Sequence, residues 1–474
     1  MLKQFESKNV GPMMDGKLVF ARKMNILTGD NSCGKSFLLD LIWFGIARCW
    51  PGDLNDRIVS GFSARPWDIK AAASLKYKFG LQGRGSTGAE TCTFDNSPKK
   101  LPRIWWKRGG EKKIHYPGLV IYMMADGSFA VFDPLRNGPI SENGERRLKS
   151  YVLSQEELWP KVKQQQCEFC HGVIGDWAAW QRDQDTHVFE CLKAVVGALC
   201  PAEDRVEIDQ LDKVPMEQGG DQPTLRLPIG RVRLQLASSA VRRMAALAYV
   251  MVWAVTEHVK AAENLGVNTN AQIFILMDEI ESHLHPRWQR ACIKGVCTAI
   301  EELCKMTNYG RHDVQTFIST HSPLVMAAVE DSFYELNNGF DEDLKDNNQR
   351  ACAWFDFDIT GSAGDLTDDQ RVRVIPQRFL PQGEAESWLS SDAFELKSTC
   401  SPEVETRIRE LNEIFEEAGP YLVKCAAAGN DGVQIIQEKV KELARRLPQG
   451  SLHISYFNNQ LKRLKEQTSS HDAD

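Results

Sequence analysis

No apolar run in the sequence approaches the roughly 20 residues needed to cross a bilayer, and no signal-peptide pattern precedes the first strand-like segment. The chain is therefore expected in the cytoplasm, with no membrane partner. An excess of positive charge is missing as well. Lys+Arg number 57 against 64 Asp+Glu, a formal net charge of -7, so charge alone does not call for nucleic acid, while a local basic patch remains open. The 13 cysteines are odd in number and scattered, which fits reduced thiols in that compartment better than a disulfide framework. No internal repeat is visible. What is present is an ordinary globular composition, 42% hydrophobic and 26% charged over 474 residues, enough for two or three domain-sized units whose cores need no covalent staples.

Residues 2–10 and 18–27 read as two strands around a turn at 11–16, followed by a glycine loop and a helix that starts at Lys35. Residues 74–135 look mainly β, with a hairpin whose arms, 119–122 and 129–132, flank Ala125-Asp126-Gly127-Ser128. Residues 136–149 read as a polar loop, 151–200 as helical and 204–222 as irregular. A long apolar helix is expected over 238–262, buried parallel strands over 273–277 and 315–319 with a helix over 288–307 between them, and an acidic loop over 340–348. The tail from about 402 reads as charged, amphipathic helix. Strands alternating with helices indicate an α/β fold around a parallel sheet.

Gly29-Asp30-Asn31-Ser32-Cys33-Gly34-Lys35-Ser36 fits the phosphate-loop pattern G-x-x-x-x-G-K-S. Glycines let the backbone amides curl around an anion, and the helix that follows points its N-terminal N–H groups and positive dipole end at the same place. Lys35 is placed to reach the β- and γ-phosphates of ATP, and the Ser36 hydroxyl to ligate Mg2+. A chance match in a glycine turn is the bland alternative. Here the pattern follows a strand and opens a helix, which that alternative does not require.

Ile273 to Met277 is five apolar residues followed by Asp278 and Glu279. In open α/β sheets ligands bind at the C-terminal ends of the strands, where this acid pair would sit. Asp278 is placed to hold Mg2+, directly or through water, and Glu279 to orient or deprotonate an attacking water. Either acid alone would read as a helix cap or a surface residue. Downstream, Phe317-Ile318-Ser319-Thr320-His321-Ser322-Pro323 ends a second apolar strand, and His321 is placed to donate a hydrogen bond to the γ-phosphate.

Together these three motifs resemble the ABC-type ATPases, in the soluble branch of the SMC, RecF and OLD proteins. Glu281-Ser282-His283-Leu284-His285-Pro286 resembles the D-loop of that branch, and Thr320-His321-Ser322-Pro323 its switch histidine. The resemblance implies an α/β head with a mixed or parallel sheet, an antiparallel β lobe, a helical insert and a helical C-terminal region. It divides the chain into 1–135 (first part of the head, with the phosphate loop and β lobe), 136–230 (helical insert), 231–375 (second part of the head) and 376–474 (helical assembly or partner region). It also implies a signature motif upstream of the acid pair. Ala237-Ser238-Ser239-Ala240-Val241-Arg242-Arg243 fits, with Ala240 where the family usually has glycine. In the family this motif acts in trans, so Ser238, Ser239 and Arg242 would face the γ-phosphate held by a second copy in a head-to-tail dimer. Gln181 is the candidate for the glutamine that links nucleotide to lobe.

The long heptad coiled coils of SMC-type members are absent between Ser36 and Ser238. Three further stretches, residues 125–134, 172–181 and 388–394, resemble PtuA-type ATPases of Septu and retron-associated anti-phage systems. That resemblance implies a slow, multimeric ATPase that holds an HNH-type nuclease subunit and responds to nucleotide state. No Toprim-like run of acids follows residue 330, so no nuclease activity of its own is expected. Two alternatives stay open: a DNA-repair ATPase of RecF type, and a nucleotide-bound scaffold with little turnover.

Two signals point elsewhere. Cys167-Glu168-Phe169-Cys170-His171 matches C-x-x-C-H, but a zinc site needs two more ligands, and structural thiols are the default. Lys99, Lys100, Arg103, Trp105, Trp106, Lys107 and Arg108 set basic charge beside aromatics, as DNA or RNA contact would want. A solvated hairpin with its tryptophans packed inward, or a partner surface, is the alternative.

Overall fold

The computed structural model describes residues 1–80, 87–94, 106–109, 117–137, 149–160, 162–164, 167–183, 186–204, 206–213, 220–267, 272–305, 314–337, 350–359, 370–391, 394, 401–427, 431–447 and 452–471. The chain divides into two units, Met1–Trp388 and Leu389–Asp474.

The first unit opens with β1 (Leu2–Lys8), β2 (Gly16–Val19), β3 (Met24–Gly29) and α1 (Lys35–Ala47), followed by β4 (Ser74–Gly80), β5 (Thr87–Phe94), β6 (Trp106–Gly109), β7 (Gly118–Met123) and β8 (Phe129–Phe132). Next come β9 (Tyr151–Leu153), β10 (Val162–Gln164), β11 (Cys167–Cys170), α2 (Gly172–Arg182), α3 (Thr186–Leu199), β12 (Glu207–Ile208), β13 (Thr224–Leu227), β14 (Gly230–Arg233) and α4 (Ser239–Leu265). The unit closes with β15 (Gln272–Met277), α5 (Pro286–Lys305), β16 (Val314–Ser319), α6 (Pro323–Asn337), β17 (Cys352–Ile359), β18 (Val372–Gln377) and α7 (Ala385–Leu389).

Its centre is an eight-stranded sheet in the order β18-β17-β3-β16-β15-β7-β8-β9. The middle five strands run parallel and the outer ones antiparallel. Strands β3, β15, β16 and β7 are buried at every residue, as expected of parallel strands covered on both faces. Because the five run the same way, their C-terminal ends share one edge, and all the candidate catalytic residues lie along it. An antiparallel sheet, β2-β1-β4-β5-β6, packs over α1 and the central sheet. Phe5, Tyr77, Trp43, Phe44, Phe317 and Phe355 share that core. The mixed α/β fold expected from the sequence is therefore the fold observed.

Two local expectations need correction. Residues 18–27 are not one strand. Ala21 N donates to Asn25 Oδ1 at 2.8 Å and Asn25 Nδ2 donates to Ala21 O at 3.1 Å, closing a turn that carries the chain from β2 in one sheet to β3 in the other. Residues 151–200 are not helical throughout. Tyr151–Leu153 is the edge of the central sheet, and Val162–Gln164 pairs antiparallel with Cys167–Cys170. Helix starts only at Gly172, whose φ of 72° and tight approach to the Pro160 carbonyl leave no room for a side chain. Of the loop expected at 136–149, residues 138–148 lie outside the described residues, as does the whole of the loop expected at 340–348.

The second unit is helical: α8 (Pro402–Glu416), α9 (Ala418–Ala427), α10 (Gly432–Ala444) and α11 (Leu452–His471). Val404, Leu411, Ile436, Val440, Leu443, Phe457 and Leu461 form its own core. Ser401 and Asp431 cap α8 and α10, each accepting from backbone N–H groups of the first turn. Among the described residues, no helix is long and apolar enough to cross a membrane.

Candidate nucleotide site

Strand β3 leaves the sheet at Gly29, where φ is 127° and a Cβ would lie 2.4 Å from the Phe357 carbonyl oxygen on neighbouring β17. Only glycine fits this turn. The loop ends at Gly34 (φ 81°), the N-cap of α1, which offers no side-chain cap. The first N–H groups of α1 therefore have no capping side chain to satisfy them and are free to face an anion. Asp30, Asn31 and Ser32 are exposed, while Cys33 is buried and its thiol is pushed up by burial.

Lys35 is buried, and its ammonium donates to the carbonyls of Gly29 and Asp30 at 2.7 Å each. Burial lowers its pKa. Nearby Cys33, Asp278, Glu279 and Glu281 oppose that shift. A buried ammonium held only by loop carbonyls is primed for a stronger acceptor in the loop.

Asp278 and Glu279 follow β15 directly. Ser319, the last residue of adjacent β16, donates from Oγ to Asp278 Oδ1 at 2.5 Å and accepts from Glu279 N at 2.8 Å. Asp278 is 1% exposed, and Oδ2 is buried with no hydrogen-bond partner among the described residues. Burial raises its pKa, countered by the hydroxyls of Ser319 and Ser36, which places Ser36 of the phosphate loop against the same carboxylate. A carboxylate with an orphaned oxygen facing a serine hydroxyl is a donor set that suits Mg2+. Glu279 has φ 46°, uncommon for a residue with a side chain, and its Oε2 accepts from Ser282 Oγ at 2.9 Å.

His321 begins the turn after β16. Its Nε2 lies 3.9 Å from Glu279 Oε1, and its ring has the Gly29 carbonyl beside it. Burial, then the Lys35 charge, lower its pKa. Its backbone N–H donates to Glu281 Oε1 at 2.5 Å. The phosphate loop, the acid pair and His321 thus meet at one place, as the order β3-β16-β15 requires.

Ser238 is the N-cap of α4 and accepts from Val241 N at 3.4 Å. Ser238 and Ser239 are exposed at the start of a 27-residue helix, and Arg242 is half-buried. Gln181 sits elsewhere: at the end of α2, donating to the Asp209 carbonyl at 2.8 Å. No described hydrogen bond joins it to the phosphate loop. The turn Met124-Ala125-Asp126 after β7 lies beside the acid pair instead, because β7 is β15's parallel neighbour.

Lys99, Lys100, Arg103 and Trp105 lie outside the described residues, as do the side chains of Lys107 and Arg108. Trp106 is buried. Its indole N–H donates to Ala64 O at 3.0 Å and its ring packs on Phe94, so it is no platform for a nucleobase. Among the described residues, no cluster of three or more His, Cys, Asp and Glu is placed to hold a metal, and Cys191 and Cys200 are buried thiols pushed up to about 12 by burial.

Sequence reasoning gave no individual role to Ser319, Glu281, Arg243 or Asp40. Burial pushes the Asp40 carboxyl up to about 8, and the acid accepts from Tyr122 Oη at 3.0 Å. Arg243 is a buried arginine on the inner face of α4. The one available signal was a charge inside an apolar stripe, at Asp40 in α1 and Arg243 in α4.

Residues 203–327 match the family model described as "AAA domain, putative AbiEii toxin, Type IV TA system". The match spans α4, the acid pair and His321 and leaves out the phosphate loop. Among solved structures, the chain is similar to the SMC head domain from Thermotoga maritima (14% identity, 80% of this chain, 99% of that one, TM-score 0.34). It is also similar to the SMC head with an extended coiled coil bound to the C-terminal domain of ScpA from Pyrococcus furiosus (12%, 80% and 96%, 0.35). A third likeness is to the recombination mediator protein RecF in its RecFOR-pathway structure (13%, 79% and 98%, 0.32). These are resemblances of outline. The strand order of this chain is that of a mixed α/β fold, with the glycine loop of residues 29–36 at the C-terminal edge of its parallel strands.

Proposed function

We propose that the chain binds ATP with Mg2+ and hydrolyses it between two copies of itself, as the ATPase subunit of an anti-phage complex that holds a partner nuclease of HNH type. The observation that carries the nucleotide reading is the meeting of Lys35, Ser36, Asp278, Glu279 and His321 around Gly29. On binding, the Lys35 ammonium exchanges the carbonyls of Gly29 and Asp30 for phosphate oxygens, a stronger, charge-assisted partner. The loop amides of 30–36 and the N-terminus of α1 cradle the phosphates. Ser36 and Asp278 would hold Mg2+, which would supply charge neutralisation. Glu279 orients and deprotonates the attacking water, and His321 donates to the γ-phosphate. Ser238, Ser239 and Arg242 come from the second copy, so the closed pair is held by the γ-phosphate and loosens when that group leaves.

Support for the defence setting is of another kind: the likeness of residues 125–134, 172–181 and 388–394 to PtuA-type ATPases, and the words "toxin" and "Type IV TA system" in the description of the matching family. The test is co-expression with the product of the neighbouring gene, followed by mass measurement and ATPase assay with and without ATP and Mg2+. A stable complex, ATP-dependent pairing and turnover that Glu279→Gln abolishes are expected. A chain that takes up no nucleotide ends the first reading, and one that never joins the neighbouring product ends the second.

A further inference from the structure

Arg243 lies one turn inside α4, directly behind the exposed serines at the start of that helix. It is 8% exposed and forms no salt bridge among the described residues. Its guanidinium donates instead to four backbone carbonyls: Ala125 at 3.1 Å, Met124 at 3.5 Å, Asp278 at 3.3 Å and Glu279 at 3.3 Å. Two of these belong to the turn after β7, and two to the acid pair after β15. An arginine buried for packing alone would be expected to take a carboxylate partner, because an unpaired buried charge is expensive. Here the compensation comes from the surrounding field of Glu279, Asp278, Asp126 and Glu281 and from the carbonyl dipoles.

The peptide at the acid pair is gripped from both sides. Its carbonyls point to Arg243 on α4, whereas its amides point to β16: Glu279 N to Ser319 Oγ at 2.8 Å and Ile280 N to the Ser319 carbonyl at 3.4 Å. Between the two grips Glu279 is held at φ 46°, a conformation with little independent stability in a residue bearing a side chain. The place of the Glu279 carboxylate is thus fixed by where α4 sits relative to β16.

We propose that Arg243 is the positioning residue that makes Glu279 competent only when the start of α4 is docked, so that phosphate capture by Ser238 and Ser239 in trans is transmitted to the acid at the site of the same chain. This rests on the two-copy ATP reading given above. Docking of the helix start fixes α4, Arg243 fixes the carbonyls of 278–279, and the water-activating group is set within the tolerance that catalysis demands. A lysine cannot do this, because a single ammonium with three donors does not span four carbonyls on two strands.

The experiment compares Arg243→Lys and Arg243→Gln with wild type in three assays: affinity for a fluorescent ATP analogue with Mg2+, steady-state kcat and KM, and the ATP-dependent dimer fraction in a Glu279→Gln background. Expected are nucleotide affinity and dimer fraction within about threefold of wild type, and kcat reduced by about tenfold or more with KM little changed. A kcat within about twofold of wild type in either folded variant overturns the proposal. Parallel loss of dimerisation and turnover also overturns it, since that is what general damage to α4 produces. Should Arg243→Gln fail to fold, Arg243→Lys decides alone. A wild-type chain that neither binds nucleotide nor pairs refutes the underlying two-copy reading instead, a result seen before any variant is made.

Discussion

The hydroxyl of Ser319 donates to Asp278 at 2.5 Å, tying the last residue of one parallel strand to the first acid after its neighbour. The same oxygen accepts the Glu279 amide at 2.8 Å, so one small side chain orients both acids. Ser319→Ala removes a donor and an acceptor from a fully buried position and replaces neither. Unfolding in urea should show a loss of about 1–3 kcal/mol, and turnover should fall more than nucleotide affinity. Unchanged kcat in a folded Ser319→Ala chain would show that the acids are oriented by other contacts.

Lys35→Met should abolish nucleotide binding and leave the nucleotide-free chain at least as stable as wild type near pH 7. Burial lowers the Lys35 pKa, so the unfolded chain binds more protons at this site than the folded one between the depressed folded pKa and the ordinary lysine value. Stability rises with pH across that window, and below it the buried ammonium is a net cost that methionine removes. Melting curves without nucleotide, from pH 7 to pH 10, should show the gap between the two proteins narrowing as pH rises.

The assignment of Ser239 to the partner's site is open to a mixing test. Lys35→Ala and Ser239→Arg chains should each be inactive alone. Mixed in equal amounts, they form a heterodimer that keeps one site with both an intact lysine and an intact serine. Activity per chain should then return to about a quarter of wild type, since half of the dimers carry one good site of two. No recovery on mixing would place both residues in the same site of one chain.

Asp40 gives a pH signature. Its carboxyl is pushed up to about 8 by burial, from an ordinary value near 4, so between those limits the folded chain holds a proton that the unfolded chain has lost. Stability from this group is full below about pH 4 and is lost as pH rises toward 8, at up to about 1.4 kcal/mol per pH unit. Asp40→Asn keeps an acceptor for Tyr122 Oη and removes the titration. The variant should therefore match wild type at pH 4–5 and exceed it in denaturation midpoint at pH 8. Parallel stability profiles for the two chains would contradict the assignment.

Much of the site was legible in the one-dimensional chain because its chemistry is local. A glycine loop with Lys35 and Ser36 needs only a strand before it and a helix after it, and two acids after Ile273 to Met277 need only a buried strand to carry them. Apolar runs of this density leave few alternatives to parallel strands, so the α/β class followed as well. The turn at Ala21–Asn25 was missed because nothing in the pattern of 18–27 marks a change of sheet. The hydrogen bonds that split it join one asparagine side chain to the backbone of Ala21, four residues before it. Trp106 was set beside basic residues because its neighbours in sequence are basic, whereas its environment is set by Ala64, from the segment between α1 and β4, and Phe94 on β5.

The sequence by itself determined which groups could meet a triphosphate, because each motif carries its own backbone requirement. Only the tertiary structure decided how those groups are held. Strand order places Ser319 beside Asp278 and Glu279, sets the end of β7 next to them, and brings an arginine from α4 onto their carbonyls. Such contacts join residues between 35 and 119 positions apart, and no local propensity encodes them. They exist because burying the apolar faces of the sheet and of α4 leaves one packing in which those polar groups find partners.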